Sequence, residues 1–144
     1  MKAVYPVLFT EVDTNILIEV PDLDILTEAN SEDDQKASIA DAIMMARDAI
    51  GLKCIELEDS GNEIAKPSME LDVNNGTFSE EGKTFSTFVD VDTKEYRRQI
   101  DMKVVRKNVC LPSWLNYEAD KAGINVSKVL QDALINVLGV HQRY

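Results

Sequence analysis

The order of patterns in residues 102–144 constrains this fold more than any other feature of the sequence. Residues 104–111 are typical of a short strand, which Pro112 ends. Two amphipathic helices follow, one capped by Ser113 and one by Asn125. A lone strand leaves an open row of backbone groups, and so small a unit buries too little apolar surface to be stable alone. We therefore expect a second copy of the chain to supply the partner strand.

The predicted core between the two copies consists of apolar positions that recur on the strand and on the second helix. They are Val109, Leu111, Val129, Leu130, Ala133, Leu134 and Val137. Two copies would make a two-stranded antiparallel ribbon above four helices, with a stability that depends on protomer concentration.

A two-stranded ribbon has the right width to enter the major groove of DNA. Arginine can bind guanine and asparagine can bind adenine through paired hydrogen bonds, and the free amides at a helix start suit a phosphate. The predicted DNA contacts are Arg106, Lys107, Asn108 and Cys110 on the strand, and Asn125, Val126, Ser127 and Lys128 at the helix start. A solvated strand edge and an ordinary helix start are the alternatives.

The net charge of −11 conceals two parts of different sign. Residues 1–99 carry 22 acidic and 9 basic side chains, a net charge of −13, whereas residues 100–144 carry 4 acidic and 6 basic ones, a net charge of +2. An acidic surface repels phosphate and suits a basic protein partner. Only the C-terminal part has a charge that tolerates DNA.

The N-terminal residues 1–99 predict a β-β-β-α-β domain. The expected strands cover residues 3–9, 16–20, 23–27 and 85–91. Ser31 looks like a helix cap, and the expected helix runs from about Glu32 to Ile50 with Gly51 as its left-handed cap. Its apolar stripe contains Ile39, Ile43, Ala46 and Ile50, widened by Met44 and Met45.

The rest of this part is predicted as connecting structure. Residues 56–83 are rich in turn-forming residues and predict a loop or a weak hairpin. The charged residues 93–101 form the best candidate linker, which could also be helical. The whole chain is thus expected to be α+β, with a domain at residues 1–99 and a second at residues 102–144.

Other classes of protein are disfavoured. The two cysteines, Cys54 and Cys110, lie far apart without further ligands nearby, so we expect free thiols that act as small hydrophobes, with no disulfide, metal or cofactor. No run of residues is apolar and long enough to span a bilayer, and the N-terminus is unlike a signal peptide. We expect a cytoplasmic protein without a membrane partner.

The sequence resembles the HicB antitoxins of HicA/HicB toxin-antitoxin systems, in both halves of the chain. The C-terminal resemblance lies in Arg-Lys-Asn-Val-Cys-Leu-Pro-Ser-Trp-Leu at 106–115, Ala-Gly-Ile-Asn-Val-Ser at 122–127 and Val-Leu-Gln-Asp-Ala-Leu at 129–134, which are similar to a ribbon-helix-helix tail. The N-terminal resemblance lies in residues 5–9, 20–23, the helix from Ser31 and Lys66-Pro67-Ser68, which look like a partial RNase H-like domain. The usual Pro-Gly-Cys turn after Leu23 is replaced by Asp24-Ile25-Leu26.

The resemblance implies a HicA-like ribonuclease toxin as partner, covered by the acidic domain. It also implies that the chain binds operator DNA as a homodimer and represses the operon of the pair, with higher assemblies once the toxin is bound. Asp22, Asp24 and Glu28 cluster beside an expected exposed strand, and we predict them as toxin contacts; the alternative is that they are only solvated surface acids.

Two other functions compete with this one. RNase H-type nucleases hold two metal ions with a cluster of carboxylates. By residue type alone, Asp22, Asp41 and Asp90 could form such a cluster of three. However, an acidic surface supplies such triples by chance, and the only histidine, His141, has no nucleophile in a recognisable motif. We therefore expect no catalysis. A stand-alone ribbon-helix-helix repressor with a ligand-sensing N-terminal domain is the other alternative.

Overall fold

The computed structural model describes residues 1–30 and 35–140. The chain divides into two compact units, Met1–Gln99 and Ile100–Tyr144. Its architecture is α+β, with a four-stranded antiparallel sheet and four α-helices in the parts that the structure describes. Within the same parts, no helix combines the length and apolar character needed to cross a membrane.

The first unit is built on the antiparallel sheet, and the predicted β-β-β-α-β order is confirmed. Its strands are β1 (Lys2–Val12), β2 (Asn15–Val20), β3 (Ile25–Ala29) and β4 (Lys83–Asp92), in the spatial order β3-β2-β1-β4. Two residues join β1 to β2, and the first of them, Asp13, has a φ of 48°. A tight hairpin turn needs such a left-handed residue, which aspartate tolerates better than most.

Helix α1 (Ile39–Ser60) covers one face of the sheet. It begins at a capping box in which the Ser38 hydroxyl accepts from the Asp41 amide while the Asp41 carboxylate accepts from the Ser38 amide. The proposed cap Ser31 and the residues up to Asp34 lie outside the described residues, but residues 35–38 are not helical, so the expected start near Glu32 is wrong.

The expected end of this helix is also wrong, because Gly51 lies within α1 and the left-handed cap is Gly61, with a φ of 67°. Gly51 is buried against the ring of Tyr96, where a Cβ atom would lie 2.8 Å from two ring carbons. The glycine is therefore a point of close packing and not a helix end.

The core of the first unit lies between α1 and the sheet. Alternate strand residues such as Tyr5, Val7 and Phe9 pack against Ala46 and Ile50. The ring of Phe9 stacks on that of Phe85, its partner in the β1–β4 register, with 5.2 Å between the ring centroids. Both cysteines have free thiols, as expected: Cys54 is fully buried in this core, whereas Cys110 is exposed, which agrees with its predicted outward position on the strand.

The buried stripe of α1 differs from the predicted one. It consists of Ala42, Ala46, Ile50, Gly51, Cys54 and Ile55. The side chains of Ile39, Met44 and Met45 are exposed. Small residues let the helix approach the sheet closely, so α1 turns its alanines and glycine inward and leaves the methionines outside.

The segment predicted as a linker forms helix α2 (Thr93–Ile100), which packs on the first unit. Thr93 and Tyr96 are buried. The Tyr96 hydroxyl donates to Asp48 over 2.9 Å, and the Arg97 guanidinium binds Glu58 and Asp59. The charges of this segment therefore belong to a docked helix.

The second unit contains helices α3 (Ser113–Lys121) and α4 (Val126–Leu138). Asn125 caps α4 as predicted, because its side chain accepts from the Lys128 amide over 3.1 Å. Ser113 is not the cap of α3: Pro112 occupies that position without a side-chain hydrogen bond, and Ser113 is the first helical residue.

The predicted strand at residues 104–111 is not formed in the single chain, where residues 101–112 have no regular secondary structure. A strand is held by hydrogen bonds to a neighbouring strand, and the described part of a single chain offers no such neighbour to residues 104–111.

Candidate functional site

Asp22, the first of the three predicted toxin contacts, holds a loop in place. One of its oxygens accepts from the Ser68 amide over 2.8 Å and the other from the Ser68 hydroxyl over 2.5 Å. Residues 61–82 carry no strand, so such contacts fix their path across the domain. Both oxygens of Asp22 thus already have a partner within the chain.

Asp24 and Glu28 are both exposed and lie at one edge of the sheet. Asp24 adopts a left-handed conformation, with a φ of 53°, directly before β3. Glu28 lies on β3 itself, on the same face as Leu26, whose side chain is 57% exposed. Because β3 is an outer strand, this edge presents an apolar side chain between two carboxylates, next to backbone that pairs with no other strand among the described residues.

Several other acids of the first unit are engaged inside the chain. Arg47 binds Asp90 over 2.9 Å and lowers the pKa of that carboxyl. The Ser38 hydroxyl and amide lower the pKa of Asp41. Glu19 accepts from the amide and hydroxyl of Thr77. These acids fix elements of the fold.

A network of charges holds α2 to α1. Burial raises the pKa of Glu58, but hydrogen bonds from Arg97 and Thr93, and the amino terminus of the chain, outweigh it, so that the pKa lies below its ordinary value. Arg97 also lowers the pKa of Asp59, which it contacts over 2.7 Å.

The three carboxylates considered as a nuclease site have separate structural roles. Asp22 binds Ser68, Asp41 caps α1 and Asp90 binds Arg47. Among the described residues, no group of three or more histidine, cysteine, aspartate or glutamate side chains could hold a metal ion. His141 lies outside the described residues.

The thiol and the phenol in the core are protected from reaction. Burial raises the pKa of the Cys54 thiol. Burial also raises the pKa of Tyr5 to about 12, with Cys54 and Asp22 adding to the effect. The Tyr5 hydroxyl donates to the Ala65 carbonyl over 2.8 Å, so it too fixes the loop.

The predicted DNA contacts of the second unit are all accessible, apart from the half-buried Val126. Arg106, Lys107, Asn108 and Cys110 lie in the exposed segment before α3. Ser127 and Lys128 lie in the first turn of α4, with the positive end of the helix dipole beside them. The structure thus brings Ser127 and Lys128 together at one helix end, but does not arrange the four strand residues on a ribbon.

The second unit has no buried residue among the described positions 101–140. Among the predicted core positions, Leu130 alone is half-buried, and the exposed ones are Val109, Leu111, Val129, Ala133, Leu134 and Val137. A further apolar residue, Ile135, is half-buried and was not predicted. The unit therefore presents its apolar positions at its surface.

Sequence reasoning missed the residues that hold the loop and α2, namely Ser68, Thr77 and Tyr96. Their partners are distant in sequence, 46 residues away for Ser68 and 48 for Tyr96. Serines and threonines in a loop are common turn residues, so their type carried no signal of this role. The aromatic ring of Tyr96 within a charged segment was the one available hint of a docked helix.

No family model and no curated protein matches this chain at a significant level. One solved structure that is similar over nearly the whole length is a chain of a toxin-antitoxin complex from Streptococcus pneumoniae, with a TM-score of 0.51 and 24% sequence identity. The match covers 94% of this chain and 99% of that chain. The two chains share a fold.

Proposed function

We propose that this chain is an antitoxin of the HicB type. Its first unit, a partial RNase H-like domain, covers a small basic HicA-like ribonuclease in the cytoplasm, and its second unit dimerises as a ribbon-helix-helix module. The dimer binds operator DNA and represses the operon of the pair. The chain acts by binding and not by catalysis.

The observation that carries this proposal is the shared fold with a chain of a toxin-antitoxin complex, over 94% of this chain. The likeness includes both units, which agrees with a protein that combines toxin binding and DNA binding. The sequence resemblance to HicB antitoxins, which rests on other observations, leads to the same proposal.

The edge at β3 is the best candidate for the toxin-binding surface. Glu28 and Asp24 supply exposed carboxylates, and Leu26 supplies an apolar side chain between them. Such a combination suits a basic partner, because opposite charges speed the encounter while apolar contact provides binding energy. Asp22 also supports this edge, because it holds the loop through Ser68.

The exposed apolar positions of the second unit support the proposed dimer. A partner copy would cover Val129, Leu134 and Val137 and would give residues 104–111 the strand that they lack. Arg106 and Asn108 would then lie on a ribbon in the major groove, with Ser127 and Lys128 at the DNA backbone.

Co-expression with the product of the neighbouring gene tests the toxin-binding role. We expect a small basic protein that stops growth alone, co-purifies with this chain and is neutralised by it. Glu28→Lys should weaken the complex and the rescue of growth, whereas Glu80→Lys, an equal charge change on an exposed loop, should leave both unchanged.

Two outcomes would contradict the proposal. One is a chain that binds its own promoter while no neighbouring product binds it, which would favour the stand-alone repressor. The other is an equal effect of the Glu28→Lys and Glu80→Lys substitutions, which would move the toxin surface away from β3.

A further inference from the structure

The two prolines near β1 and β2 stop the pairing of these strands. In the register of the hairpin Leu8 faces Glu19, and the next bonded pair in this register would be Pro6 and Pro21. Neither proline has an N–H group to donate, so the ladder cannot continue. The chain turns away at Pro21, and within residues 1–30 and 35–140 no strand pairs with the first part of β1 on this side.

The open side of β1 carries backbone N–H and C=O groups that form no backbone hydrogen bond among the described residues. The Thr93 amide donates to the Met1 carbonyl over 2.9 Å, so the odd-numbered residues of β1 bond to β4. Alternate residues of a strand direct their backbone groups to opposite sides. Lys2 and Val4 therefore direct their N–H and C=O groups to the open side, where no backbone group in the described part of the chain bonds to them.

A groove of about 630 Å³ lies along this open edge, between the start of β1 and residues 64–69. Its walls are mainly apolar and include Val4, Met69 and Phe88, with side chains 41%, 79% and 50% exposed. An extended segment of four residues spans roughly 13 Å and bonds to an open strand through its backbone, as in strand addition.

The charge of this groove is opposite to that of the surrounding unit. Eleven residues line it, and none of them is aspartate or glutamate, although residues 1–99 contain 22 such side chains. Its charged lining residues are Lys2 and Lys66. Asp92 and Asp90 lie opposite Lys2 and Val4 in the β1–β4 register, outside this lining. The lining itself favours an acidic occupant, whereas the proposed toxin is basic.

We propose that this groove binds an extended acidic segment of a partner protein, which adds to the sheet as a strand beside Lys2 and Val4. The backbone of the segment bonds to the open edge of β1, its apolar side chains contact Val4 and Phe88, and its carboxylates face Lys2 and Lys66. This site is separate from the β3 edge and does not depend on the proposed antitoxin function.

Amide hydrogen exchange on the full chain tests the open edge directly. We expect the Val4 amide to exchange fast in the free protein and the neighbouring Tyr5 amide, which bonds to β4, to exchange slowly. Lys2 and Val4 are two residues apart on β1, so they lie on the same face of the sheet. A probe peptide with the repeat Glu-Glu-Val-Val, acetylated and amidated at its ends, presents both residue types on each face and should slow exchange at Val4 and leave Tyr5 unchanged. Slow exchange at Val4 in the free protein would overturn the proposal.

Binding of labelled peptides, followed by fluorescence polarisation, tests the occupant. The glutamate peptide should bind more tightly than one with lysine in place of glutamate, and N-methylation of its central amide should abolish binding, because the donor to β1 is lost. Lys66→Glu should weaken binding by up to about fivefold, the upper end of the scale of an exposed ion pair. Lys83→Glu, the same change on the distant end of β4, should not.

Three results would overturn the proposal: equal binding of the lysine peptide, unchanged binding after N-methylation, and equal effects of the Lys66→Glu and Lys83→Glu substitutions. A small apolar dye that binds the groove while the glutamate peptide fails to protect Val4 would assign the groove to small molecules instead. Association of two copies of the chain that protects Val4 without any peptide would assign it to self-association.

Discussion

Two aspartates separated by one residue, Asp22 and Asp24, differ in their surroundings. Asp22 accepts two hydrogen bonds from Ser68, whereas the exposed Asp24 makes a tight turn through its own backbone. The sequence analysis predicts both aspartates as toxin contacts. The distinction depends on where residue 68 lies in space.

We predict that Asp22→Asn lowers the free energy of unfolding by about 1–2 kcal/mol. The Ser68 amide and hydroxyl each donate to one oxygen of Asp22, and the side chain of asparagine has only one oxygen that can accept. The matched change Asp24→Asn should stay within about 0.5 kcal/mol, since asparagine tolerates a positive φ. Urea unfolding of the two variants at neutral pH measures both values. Equal losses would show that the Ser68 contacts contribute little.

Gly51 allows a second prediction. Gly51→Ala gains about 1 kcal/mol of helix propensity, but its Cβ would lie 2.8 Å from the Tyr96 ring, and overpacking costs about 1–3 kcal/mol. We expect a net loss in urea unfolding. In a Tyr96→Ala background the same substitution should be stabilising, and a loss of equal size there would contradict the packing explanation.

We predict that substitutions of Arg106 and Lys128 separate base reading from phosphate contact in the proposed DNA complex. Both lie at exposed positions, so their substitution by alanine should leave the melting temperature nearly unchanged. Arg106→Ala should cost about 1–3 kcal/mol of binding to the promoter and relax the preference at one base per half-site. Lys128→Ala should weaken binding to promoter and scrambled DNA alike and reduce the salt dependence. Gel-shift titrations that show no loss for Arg106→Ala would remove it from the reading surface.

At the scale of elements, α2 is held to α1 by charges whose protonation can be followed. The pKa values of Glu58 and Asp59 are lower in the folded chain than in an unfolded one, mainly because of Arg97. A carboxyl with a lowered pKa stabilises the fold above its unfolded pKa, and this contribution disappears as the pH falls through the lower, folded value.

We therefore predict that the melting temperature decreases as the pH is lowered from about 5 to about 3. Arg97→Gln should make this fall smaller, because the carboxylates lose the partner that lowers their pKa values. Arg98→Gln is the control, since Arg98 is 79% exposed and contacts Glu95 on its own helix. Thermal melts of both variants with the same pH dependence would disprove the role of Arg97.

At the scale of the whole molecule, the two units differ in how many of their apolar side chains they bury. The first unit has a core between α1 and the sheet, whereas the second has no buried residue among its described positions. A unit without a core of its own depends on partners for stability.

Leu134→Asp tests this dependence, because Leu134 is 48% exposed in the single chain. In a monomer the substitution would cost little, but in a dimer core an unpaired carboxylate costs several kcal/mol. We expect sedimentation to show a monomer that no longer binds promoter DNA. Gln131→Asp, on the exposed side of α4, should leave a DNA-binding dimer, and a dimeric Leu134→Asp variant would disprove the predicted interface.

The sequence by itself determined the order of strands and helices in the first unit and the two helices of the second. Period-two and helical patterns are local, and so are the Asn125 cap and the turn before β2, because each depends on residues within a few positions. The difference in net charge between residues 1–99 and residues 100–144 also follows from the sequence alone.

Tertiary structure decided the features that depend on distant partners. The sequence predicts Gly51 as the end of a helix, but in the structure Gly51 lies within α1 and packs against Tyr96, 45 positions later. The sequence predicts Asp22 as a toxin contact, and only the structure shows that it also holds the loop through Ser68. The open edge of β1 appears only in the folded hairpin, where the pairing of β1 with β2 ends at Leu8 and Glu19, before Pro6 and Pro21. A local pattern specifies which conformation a segment prefers, but only the packed chain specifies which side chain it meets.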